Sequence, residues 1–547
     1  MEKTKTFPLR YTAYALSIAG FFVSLGLALV LEEGYVFPVI FGAFAALGTY
    51  DLIQRKHTVS RNYPIMANFR YLLESVGPEI RQYFIQSDTE ERPFSREQRT
   101  IVYQRAKNVL DKRPFGSQLG MYDEGFEWMN HSLAPTRLSS SDFRILIGKN
   151  CDKPYNASVF NISAMSFGSL SANAILSLNT GARMGGFYHD TGEGSISRYH
   201  KQPGGDLVWE IGSGYFGCRH KDGSFNEDMF RENASFDQVK MIELKLSQGA
   251  KPGHGGILPG DKVTPEIAEA RGVSVGEDCV SPASHSAFST PIEMLEFIDR
   301  LRELSGGKPI GFKLAIGHPW EWFAIVKAML ETGRKPDFIV VDGGEGGTGA
   351  APLEFINRLG MPMTEALLLV HNTLVGTNLR EDIAIGAAGK ITSAFNIART
   401  LALGADWCNA ARGYMFALGC IQALNCHTGR CPSGVATQDP RRGNKLDVEH
   451  KSQRVYNYHK NTLDALQNLL EASGLRHPSE LGPEHIVRRV SKTEVHSYMD
   501  LFPFLEPGAL LEGKTGLTVF DKYWEFARPD TFEPPEFILK LRETKLR

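Results

Sequence analysis

The stretch FIVVDGGEGGTGAAP, residues 338–352, carries the strongest indication of the fold. Four apolar residues and an aspartate lead into a loop that has five glycines between positions 343 and 349. A short apolar run bounded by a turn is typical of a strand buried on both faces of a parallel sheet. The glycines let backbone amides approach a ligand closely. The stretch therefore predicts a parallel α/β fold with a ligand-binding loop after this strand.

Seven other apolar runs of strand length alternate with helical patterns. The eight predicted strands are residues 159–164, 186–190, 207–211, 241–246, 310–315, 338–341, 383–388 and 407–410. Eight βα units close most naturally as a (β/α)8 TIM barrel, whose active site lies at the carboxyl ends of the strands. An open doubly wound sheet is the alternative, but it would concentrate polar motifs at one switch point. Here polar, glycine-rich segments follow nearly every strand, which favours the barrel.

The stretch GCIQALNCHTGRCPSGVATQDP, residues 419–440, contains three of the seven cysteines within a span of twelve residues. Cys420, Cys426 and Cys431 have the spacing C-x5-C-x4-C. Soft thiolate ligands select zinc or iron–sulfur clusters, and three of them suit a cubane with a missing corner. Zinc, with His427 as a fourth ligand, and plain structural thiols or a disulfide are the alternatives. His427 directly follows Cys426 and would point elsewhere if Cys426 were a ligand.

Length and charge set broad limits. A chain of 547 residues can bury a large core, as two to four domains or as one large barrel with additions. A formal net charge of −2 gives no support for nucleic-acid binding. The other four cysteines are scattered without a framework pattern, which suits a reducing compartment and predicts a cytoplasmic catalytic part.

The amino-terminal segment predicts a transmembrane hairpin. Residues 11–31 carry no formal charge and a second apolar run spans residues 35–50, long enough for two helices across a membrane if residues 51–53 complete the second. Both ends are basic, which places them in the cytoplasm: Lys3, Lys5, Arg10, Arg55, Lys56 and Arg61. A signal peptide and a buried helical hairpin of a soluble domain are the alternatives. Within residues 60–84 an amphipathic helix is predicted to begin beyond Pro64, as part of a structural collar around the barrel.

The cysteine loop and the strand-end motifs together resemble the FMN-binding synthase domain of glutamate synthase, in order, over residues 156–440. The resemblance implies FMN and a [3Fe-4S] cluster, the latter held by Cys420, Cys426 and Cys431. With the other features it predicts a membrane hairpin at 1–57, a helical collar or linker at 58–150, a glutamate synthase-like barrel at 151–440 and a C-terminal helical extension and tail at 441–547. The cluster loop is residues 419–440.

Three catalytic residues are implied by the resemblance. Glu193, in HDTGEGSIS at 189–197, takes the family's glutamate position as a proton carrier or imine-orienting group. Lys251, in ELKLSQGAKPGHGGILPG at 243–260, takes the family's 2-oxoglutarate-binding position. Arg271 takes the position of an arginine that pairs with a substrate carboxylate, where a bidentate contact explains the need for arginine.

The cofactor-binding residues implied by the resemblance are spread over the strand ends. Met165 and Ser166, in SAMSFGSLS at 163–171, would lie along the flavin ring, and Gln248 would hydrogen-bond its edge. Lys313 would stabilise the anionic reduced flavin. The remaining candidates are Gly346 and Gly347 in the glycine-rich loop, and Gly386, Gly389, Lys390, Arg412 and Gly413 after the last two strands, where barrels commonly bind phosphate.

The chain departs from the family's pattern at three positions that concern the substrate. His254 replaces a glutamate, Ile257 replaces a glutamine placed to contact 2-oxoglutarate, and Gly344 replaces a histidine beside Glu345. Exchanging a hydrogen-bonding amide for an aliphatic group favours a less polar substrate surface. The predicted reaction is reduction of 2-iminoglutarate, from 2-oxoglutarate and ammonia, to L-glutamate. The alternatives are a related 2-oxo or 2-imino acid or an amine, and a membrane-associated electron-transfer module.

Two further observations bear on the predicted partners. The sequence shows no amino-terminal nucleophilic cysteine with a glutaminase domain before the barrel, so ammonia is expected from another source. It matches GxGxxG at residues 212–217 and 344–349 and GxxxxGK[ST] at residues 508–515, but these short matches alone do not predict a nucleotide site. Reducing power is therefore expected from ferredoxin, a separate reductase subunit or a membrane quinol.

Overall fold

The computed structural model describes residues 9–54, 58–85, 92–258, 260–513 and 515–545. The chain forms two compact units, Met1–Glu91 and Arg92–Arg547. Each unit has its own architecture, and the candidate active site belongs to the larger one.

The larger unit is built on a closed barrel of eight parallel strands. In chain order the barrel strands are β1 Phe160–Ile162, β2 His189–Asp190, β3 Leu207–Ile211, β4 Val239–Lys245, β5 Ile310–Leu314, β6 Phe338–Asp342, β7 Ala384–Ala388 and β8 Trp407–Ala410. Each strand hydrogen-bonds to the next, and β8 closes on β1 through the pairs Cys408–Phe160 and Ala410–Ile162. The predicted TIM barrel is confirmed, and the open sheet is wrong.

The predicted strands fall at the observed positions, with differences at their ends. Leu207–Ile211 and Trp407–Ala410 match at both ends. The second strand begins three residues later than predicted because Gly186 instead ends the preceding helix. Its φ of 63° places it in the left-handed region that favours glycine. Ser171 is the N-cap of that helix, and its hydroxyl accepts a hydrogen bond from the backbone N–H of Ala174.

Helices between the strands form the outer layer of the barrel. They are Ala172–Gly185, Arg198–Lys201, Glu227–Ala234, Pro265–Arg271, Pro291–Leu304, Pro319–Thr332, Leu353–Arg358, Met363–Gly376, Ala394–Ala402 and Arg412–Leu418. Their buried faces carry the apolar side chains that cover the strands, such as Leu295 and Ile298 in Pro291–Leu304. This packing fixes the strand ends and the loops that follow them.

Further elements flank the barrel. The helices Arg96–Ala106 and Val448–Ala472 pack together and against neighbouring helices of the outer layer. The helix Val448–Ala472 buries three leucines, Leu463, Leu466 and Leu470. The remaining elements are the sheet of Glu127–Met129, Ile486–Arg489 and Val495–Ser497, the strand pairs Arg144–Ile147 with Tyr155–Ser158 and Gly256–Leu258 with Cys279–Ser281, and the helices Pro440–Gly443, Tyr498–Leu501, Thr518–Phe526 and Glu536–Lys545.

The smaller unit begins with a helical hairpin. Its helices are α1, Thr12–Leu31, and α2, Val36–Ile53, so residues 51–53 do complete the second run. A Cβ atom on Gly20 would lie 2.7 Å from the Phe41 ring, so glycine lets the two helices approach closely. Both helices are long and apolar enough to cross a membrane. Lys3, Lys5, Arg55 and Lys56, which support the predicted orientation, lie outside the described residues.

After the hairpin come the short helix Thr58–Asn62 and then α3, Met66–Ile80, which begins beyond Pro64 as predicted. The buried carboxylate of Asp51 accepts hydrogen bonds from the backbone N–H of Ile65, at 2.9 Å, and from the Asn68 side chain, at 2.6 Å. These bonds tie the end of α2 to the start of α3. The apolar side chains of α3 are exposed, with Phe69 at 59%. The role of this segment as a collar stays a prediction.

Candidate active site

A cavity of about 1370 Å³ opens at the carboxyl ends of the barrel strands. Residues at or just after the ends of β1, β6, β7 and β8 line it, including Ser163, Asp342, Gly389 and Ala410. Ligand pockets in proteins are usually about 300–1,000 Å³, so this one can hold a cofactor together with a small substrate. The cavity lies where the barrel prediction expects the active site.

Most of the predicted site residues line this one cavity. They are Gln248, Lys251, Lys313, Gly346, Gly347, Gly389, Lys390, Arg412, Gly413, Cys420, Cys426 and Cys431. Met165, Ser166, Glu193, Arg271 and Gly386 are not among the lining residues. Met165, Ser166 and Glu193 lie in strand-end loops, and Arg271 ends a helix beside them. Gly386 lies within β7, where an added Cβ would come 2.5 Å from the Trp407 ring, so the structure places it against that ring.

The loops after β7 and β8 can hold a phosphate. Lys390 follows Gly389 with a φ of 52°, and burial lowers the pKa of its ammonium group. Arg412 donates from Nη2 to the carbonyl of Thr348 at 3.0 Å, which joins it to the glycine-rich loop. An added Cβ on Gly413 would lie 2.6 Å from the Tyr458 hydroxyl oxygen. Two cations and a loop that excludes larger side chains fit the phosphate end of FMN.

Arg412 also links this end to the cysteine loop. Its Nη1 lies 3.9 Å from the Sγ of Cys426. Cys420 and Cys431 are buried, Cys426 is half-buried, and all three are free thiols. Burial opposes ionisation of Cys431, but hydrogen bonds from the Ser433 hydroxyl and nearby backbone amides outweigh it and lower the pKa of this thiol. Hydrogen bonds to sulfur of this kind tune the ligands of iron–sulfur clusters.

The three thiols can be compared with the ligands of a single zinc ion. Around one zinc ion with Zn–S distances of about 2.3 Å, tetrahedral ligand sulfurs lie ~3.8 Å apart. The sulfurs of Cys420, Cys426 and Cys431 are not all within 4.8 Å of one another. Thiols are also the donors that hold iron–sulfur clusters, and all three lie in one cavity wall.

Glu193 lies in the loop after β2 and forms an ion pair with Lys245, the last residue of β4. Lys245 Nζ lies 2.9 Å from the Glu193 carboxylate. Burial raises the pKa of Glu193, but the lysine outweighs that effect, with smaller contributions from Arg271 and Lys251, and lowers the pKa to about 2. Glu193 is therefore a carboxylate at neutral pH. This charge state suits an imine-orienting group better than a proton donor.

Arg271 ends the helix Pro265–Arg271 and is buried. Its Nη2 lies 3.3 Å and 3.1 Å from the positions that added Cβ atoms would take on Gly168 and Gly194. Both glycines therefore make room for the guanidinium, which also lies 5.2 Å from the centre of the Phe216 ring. Its Nε has no hydrogen-bond partner among the described residues. A buried cation with an unused donor is suited to bind a substrate carboxylate.

Met165 and Ser166 belong to the loop after β1, beside Arg271. The carbonyl of Met165 accepts from His200 at 3.4 Å, and a Cβ on Gly194 would lie 2.8 Å from the Ser166 Cβ. The loops after β1 and β2 are therefore in close contact. Glu193, Arg271 and Ser166 form a group of polar side chains around these loops, which the sequence motifs predicted separately.

Lys313, on β5, forms ion pairs that the resemblance did not imply. Its ammonium group contacts the carboxylate of Glu210 and lies 3.5 Å from that of Glu243, and all three side chains are buried. Burial lowers the pKa of Lys313, but these carboxylates outweigh it and raise the pKa well above its usual range. Lys313 also lines the cavity, so its cation faces both the carboxylates and the predicted flavin position.

Sequence reasoning missed two parts of the site. Phe94 lines the cavity, and its ring packs edge-to-face on Phe416 with centroids 5.3 Å apart. No motif marks Phe94, because it lies far upstream of the barrel. The buried acids carry a readable signal, since Glu210 interrupts an otherwise apolar strand and Glu243 lies among the apolar residues Met241, Ile242 and Leu244.

The positions that depart from the family's pattern fall at the cavity mouth or close to it. His254 is exposed, lines the cavity and lies edge-to-face with Phe355, with ring centroids 5.1 Å apart. Gly344 lines the cavity, whereas Glu345 uses one carboxylate oxygen to accept from the backbone N–H of Met363 at 2.9 Å. Ile257 lies in the strand Gly256–Leu258, and its side chain lies outside the described part of the structure.

Comparison with known proteins gives the family. Residues 136–476 match the family described as "Conserved region in glutamate synthase". The glutamate synthase large subunit-like protein YerD of Bacillus subtilis is 39% identical over 487 residues, 82% of this chain and 92% of that protein. The archaeal glutamate synthase [NADPH] of Methanocaldococcus jannaschii is 33% identical over 353 residues, 64% of this chain and 65% of that protein. This chain thus spans about two thirds of that archaeal relative.

Among solved structures, a flavocytochrome b2 variant with pyruvate bound is similar at a TM-score of 0.41 and 12% identity, over 77% of this chain and 85% of that chain.

Proposed function

We propose, because the chain belongs to the glutamate synthase family, that its barrel reduces 2-iminoglutarate, formed from 2-oxoglutarate and ammonia, to L-glutamate. FMN and a [3Fe-4S] cluster are the proposed cofactors. The observation that carries the proposal is one cavity whose lining includes the predicted phosphate-binding cations Lys390 and Arg412 together with all three cysteines. A flavin and a cluster held there would be close enough to exchange electrons.

The residues that would hold each group follow from their positions. Gly389, Lys390, Arg412 and Gly413 would hold the FMN phosphate, and Gln248 would hydrogen-bond the ring. Cys420, Cys426 and Cys431 would hold the cluster. When bound, reduced FMN supplies a hydride and the cluster supplies electrons one at a time. The relatives named archaeal glutamate synthase carry NADPH in their names, whereas for this chain we propose an external donor such as ferredoxin, a reductase subunit or quinol.

The protein's own part in the reaction is to hold and polarise the substrate. Arg271 and Lys251 would bind the two carboxylates, since both cations lie near Glu193 and contribute to its low pKa. The ionised Glu193 would accept a hydrogen bond from the imine N–H and so orient the imine nitrogen. Holding the reacting carbon in one orientation replaces a bimolecular encounter with an intramolecular step.

A related substrate is the second candidate, and the substitutions in the substrate loop favour it. His254 at the cavity and Ile257 nearby replace the family's glutamate and glutamine. These exchanges would weaken recognition of the distal carboxylate and accept a less polar 2-oxo or 2-imino acid. A third candidate, a pure electron-transfer module, would leave the cation pair Arg271 and Lys251 without a role.

We also propose that α1 and α2 anchor the protein in a membrane with the barrel in the cytoplasm. The two helices are long and apolar enough to span it, and their outward side chains are exposed, with Val30 at 81%. If the full-length protein is anchored in this way, alkaline carbonate will fail to strip it from isolated membranes. Release by carbonate alone would contradict the anchor.

The direct test of the reaction uses anaerobically purified full-length protein in detergent. Its absorption spectrum and its FMN, iron and sulfide content are measured first. The protein is then reduced with dithionite and mixed with ¹⁵N-ammonia and a panel of 2-oxo acids. The proposal expects ¹⁵N-labelled L-glutamate, with flavin reoxidation at the same rate. Preferential amination of another member of the panel supports the second candidate, and no amino acid product from protein that retains both cofactors contradicts both.

A further inference from the structure

Three carboxyl groups meet inside the barrel, on neighbouring strands. Glu210 on β3 and Glu243 on β4 are register partners, and Asp190 ends the adjacent strand β2. One oxygen of each group lies within 4.8 Å of the others, and no more than 1% of any of these residues is exposed. These three residues are called the acid cluster below. Like charges directly opposite each other on neighbouring strands destabilise a sheet, so the cluster needs compensation.

The charges around the acid cluster do not balance if every acid is ionised. The groups that face it are Lys313 on β5, Asp342 at the end of β6, Tyr188 just before β2 and Lys245 at the end of β4. Lys245 is already paired with Glu193. Among the residues that the structure describes, the Lys313 ammonium is therefore the cation left to balance four carboxyl groups. Burial of an uncompensated charge costs several kcal/mol, so protonation of a carboxyl group is the favourable alternative.

Glu243 is the member of the cluster at which protonation is most favoured. Its Oε1 has no hydrogen-bond partner among the described residues, although the oxygen is buried and lies 3.5 Å from Lys313 Nζ. Burial, followed by the negative charge of Asp190, raises the pKa of Glu243 well above its usual range. Burial and the charge of Glu210 raise the pKa of Asp190 to about 7. Because the two acids interact, the proton belongs to the cluster as a whole.

A short connection joins the cluster to the cavity. Lys313 contacts Glu210 and Glu243 on one side and lines the cavity on the other. Asp342 also lines the cavity, accepts from the backbone N–H of Gly249 at 2.9 Å, and lies near Lys313. A proton can therefore pass between the cluster and a bound ligand through one side chain.

We propose that Asp190, Glu210 and Glu243 form a proton store, which supplies the proton consumed by imine reduction through Lys313. In that step a hydride adds its electron pair to the imine carbon, and the C=N π electrons move to nitrogen. The nitrogen takes a proton from the Lys313 ammonium, and Lys313 takes its replacement from Glu243. Water then reprotonates the cluster. This inference rests on the proposed reduction, and it fills a need that Glu193 does not meet, because Glu193 is ionised at neutral pH.

A divalent cation is the rival occupant of three convergent carboxylates. Lys313 already places an ammonium group against two of them, so a second cation would be repelled. The experiment must therefore distinguish a proton from a metal ion, and it must also distinguish the store from the reaction that the store serves.

The experiment is infrared difference spectroscopy on full-length holoenzyme, recorded in H₂O and D₂O, with Glu243→Gln and Asp190→Asn as variants. The matched control is Glu232→Gln, which alters an exposed glutamate on the outer helix Glu227–Ala234. A stored proton gives a carboxylic-acid C=O band that shifts in D₂O, persists above the pH range in which an exposed glutamate titrates, and is lost in Glu243→Gln but retained in the control. The rate of flavin reoxidation by the imino acid is expected to fall about a hundredfold in Glu243→Gln, within the usual range for a lost proton donor.

Each result has a defined meaning. Absence of the acid band from the wild-type enzyme, its persistence in both variants, or its loss on addition of Mg²⁺ or Zn²⁺ would overturn the proton store. If Glu243→Gln does not fold, the Asp190→Asn variant, whose band should titrate at a different pH, gives the same test. An acid band that behaves as expected in an enzyme that makes no glutamate would support the store and refute the proposed reaction instead.

Discussion

The Nζ atom of Lys245 lies 2.9 Å from the carboxylate of Glu193. Lys245 is the last residue of β4, and Glu193 belongs to the loop after β2. The pair therefore connects the carboxyl ends of two strands that have β3 between them. Lys245 therefore pairs with Glu193 and not with a ligand in the cavity. The strand ends at Lys245, and Gln248 lies beyond it in the loop that lines the cavity.

Replacement of Glu193 by glutamine should lower the rate without changing the pH profile. The carboxylate has a pKa of about 2, so it does not titrate between pH 5 and 9. Loss of a charge-assisted contact of about 1.5–3 kcal/mol corresponds to a fall of roughly ten- to a hundredfold in kcat/KM. The measurement is kcat/KM for the 2-oxo acid across that pH range, with Glu232→Gln as the control. Disappearance of a pH limb in Glu193→Gln would show that Glu193 is a proton donor after all.

Replacement of Arg271 by lysine should weaken substrate binding and leave the cofactors in place. Lysine keeps the charge but loses the planar pair of donors that binds a carboxylate in a bidentate manner. We expect the KM for the 2-oxo acid to rise about ten- to a hundredfold, with a smaller change in kcat.

The matched control for Arg271 is Arg219→Lys. Arg219 also lies over the Phe216 ring, at 5.6 Å, but donates to the carbonyl of Gly214. The KM of the Arg219→Lys variant should stay near that of the wild type, and both variants should retain their FMN. An unchanged KM in Arg271→Lys would remove the substrate role and favour the electron-transfer module.

The barrel and much of the cavity could be predicted because their signals are local. Apolar runs of strand length and the glycine-rich loops after them mark β6 and its neighbours directly in the chain. The pairing of Lys313 with Glu210 and Glu243 could not be predicted in this way. It depends on the register between β3, β4 and β5, which the barrel sets as a whole.

Phe94 and Gly386 show two other limits. Phe94 reaches the cavity from a segment that precedes the barrel and has no pattern of its own. Gly386 was grouped with Gly389 and Lys390 because the three are close in sequence. Strand alternation turns the Gly386 position toward Trp407, however, whereas Gly389 follows the end of β7. Proximity in sequence therefore does not show which residues near the end of a strand line the cavity.

Replacement of any one of Cys420, Cys426 and Cys431 by serine should remove the iron and leave the barrel folded. Serine is a poor ligand for iron in such clusters, whereas the strands and the FMN contacts lie outside the loop. The measurements are iron and sulfide per FMN and the electron paramagnetic resonance signal of the oxidised protein. Cys151→Ser is the control, because Cys151 is half-buried and does not line the cavity. Retention of iron in all three variants would contradict the cluster assignment.

Acid should destabilise the barrel below about pH 6.5, because its buried histidines resist protonation. Burial lowers the pKa of His200, His285 and His371 to about 4 and that of His459 to about 3. An unfolded histidine has a pKa of about 6.5, so folded and unfolded chains are both neutral above that value and the full stability is present. As the pH falls from 6.5 toward 4, the unfolded chain binds protons that the folded chain cannot, and stability is lost.

The contribution of one histidine can be isolated at His459. Its ring stacks on Phe187 with centroids 3.8 Å apart, and its Nε2 lies 3.0 Å from the Ser158 hydroxyl oxygen. His459→Phe keeps the stack and removes the titration, so its melting temperature should be lower at pH 7 but less sensitive to acid. Between pH 7 and 5 the wild type should lose about 2 kcal/mol more than the variant. Thermal unfolding in detergent at each pH measures this difference, with the exposed His450→Gln as control. Parallel curves for His459→Phe and wild type would show that His459 is charged in the folded protein.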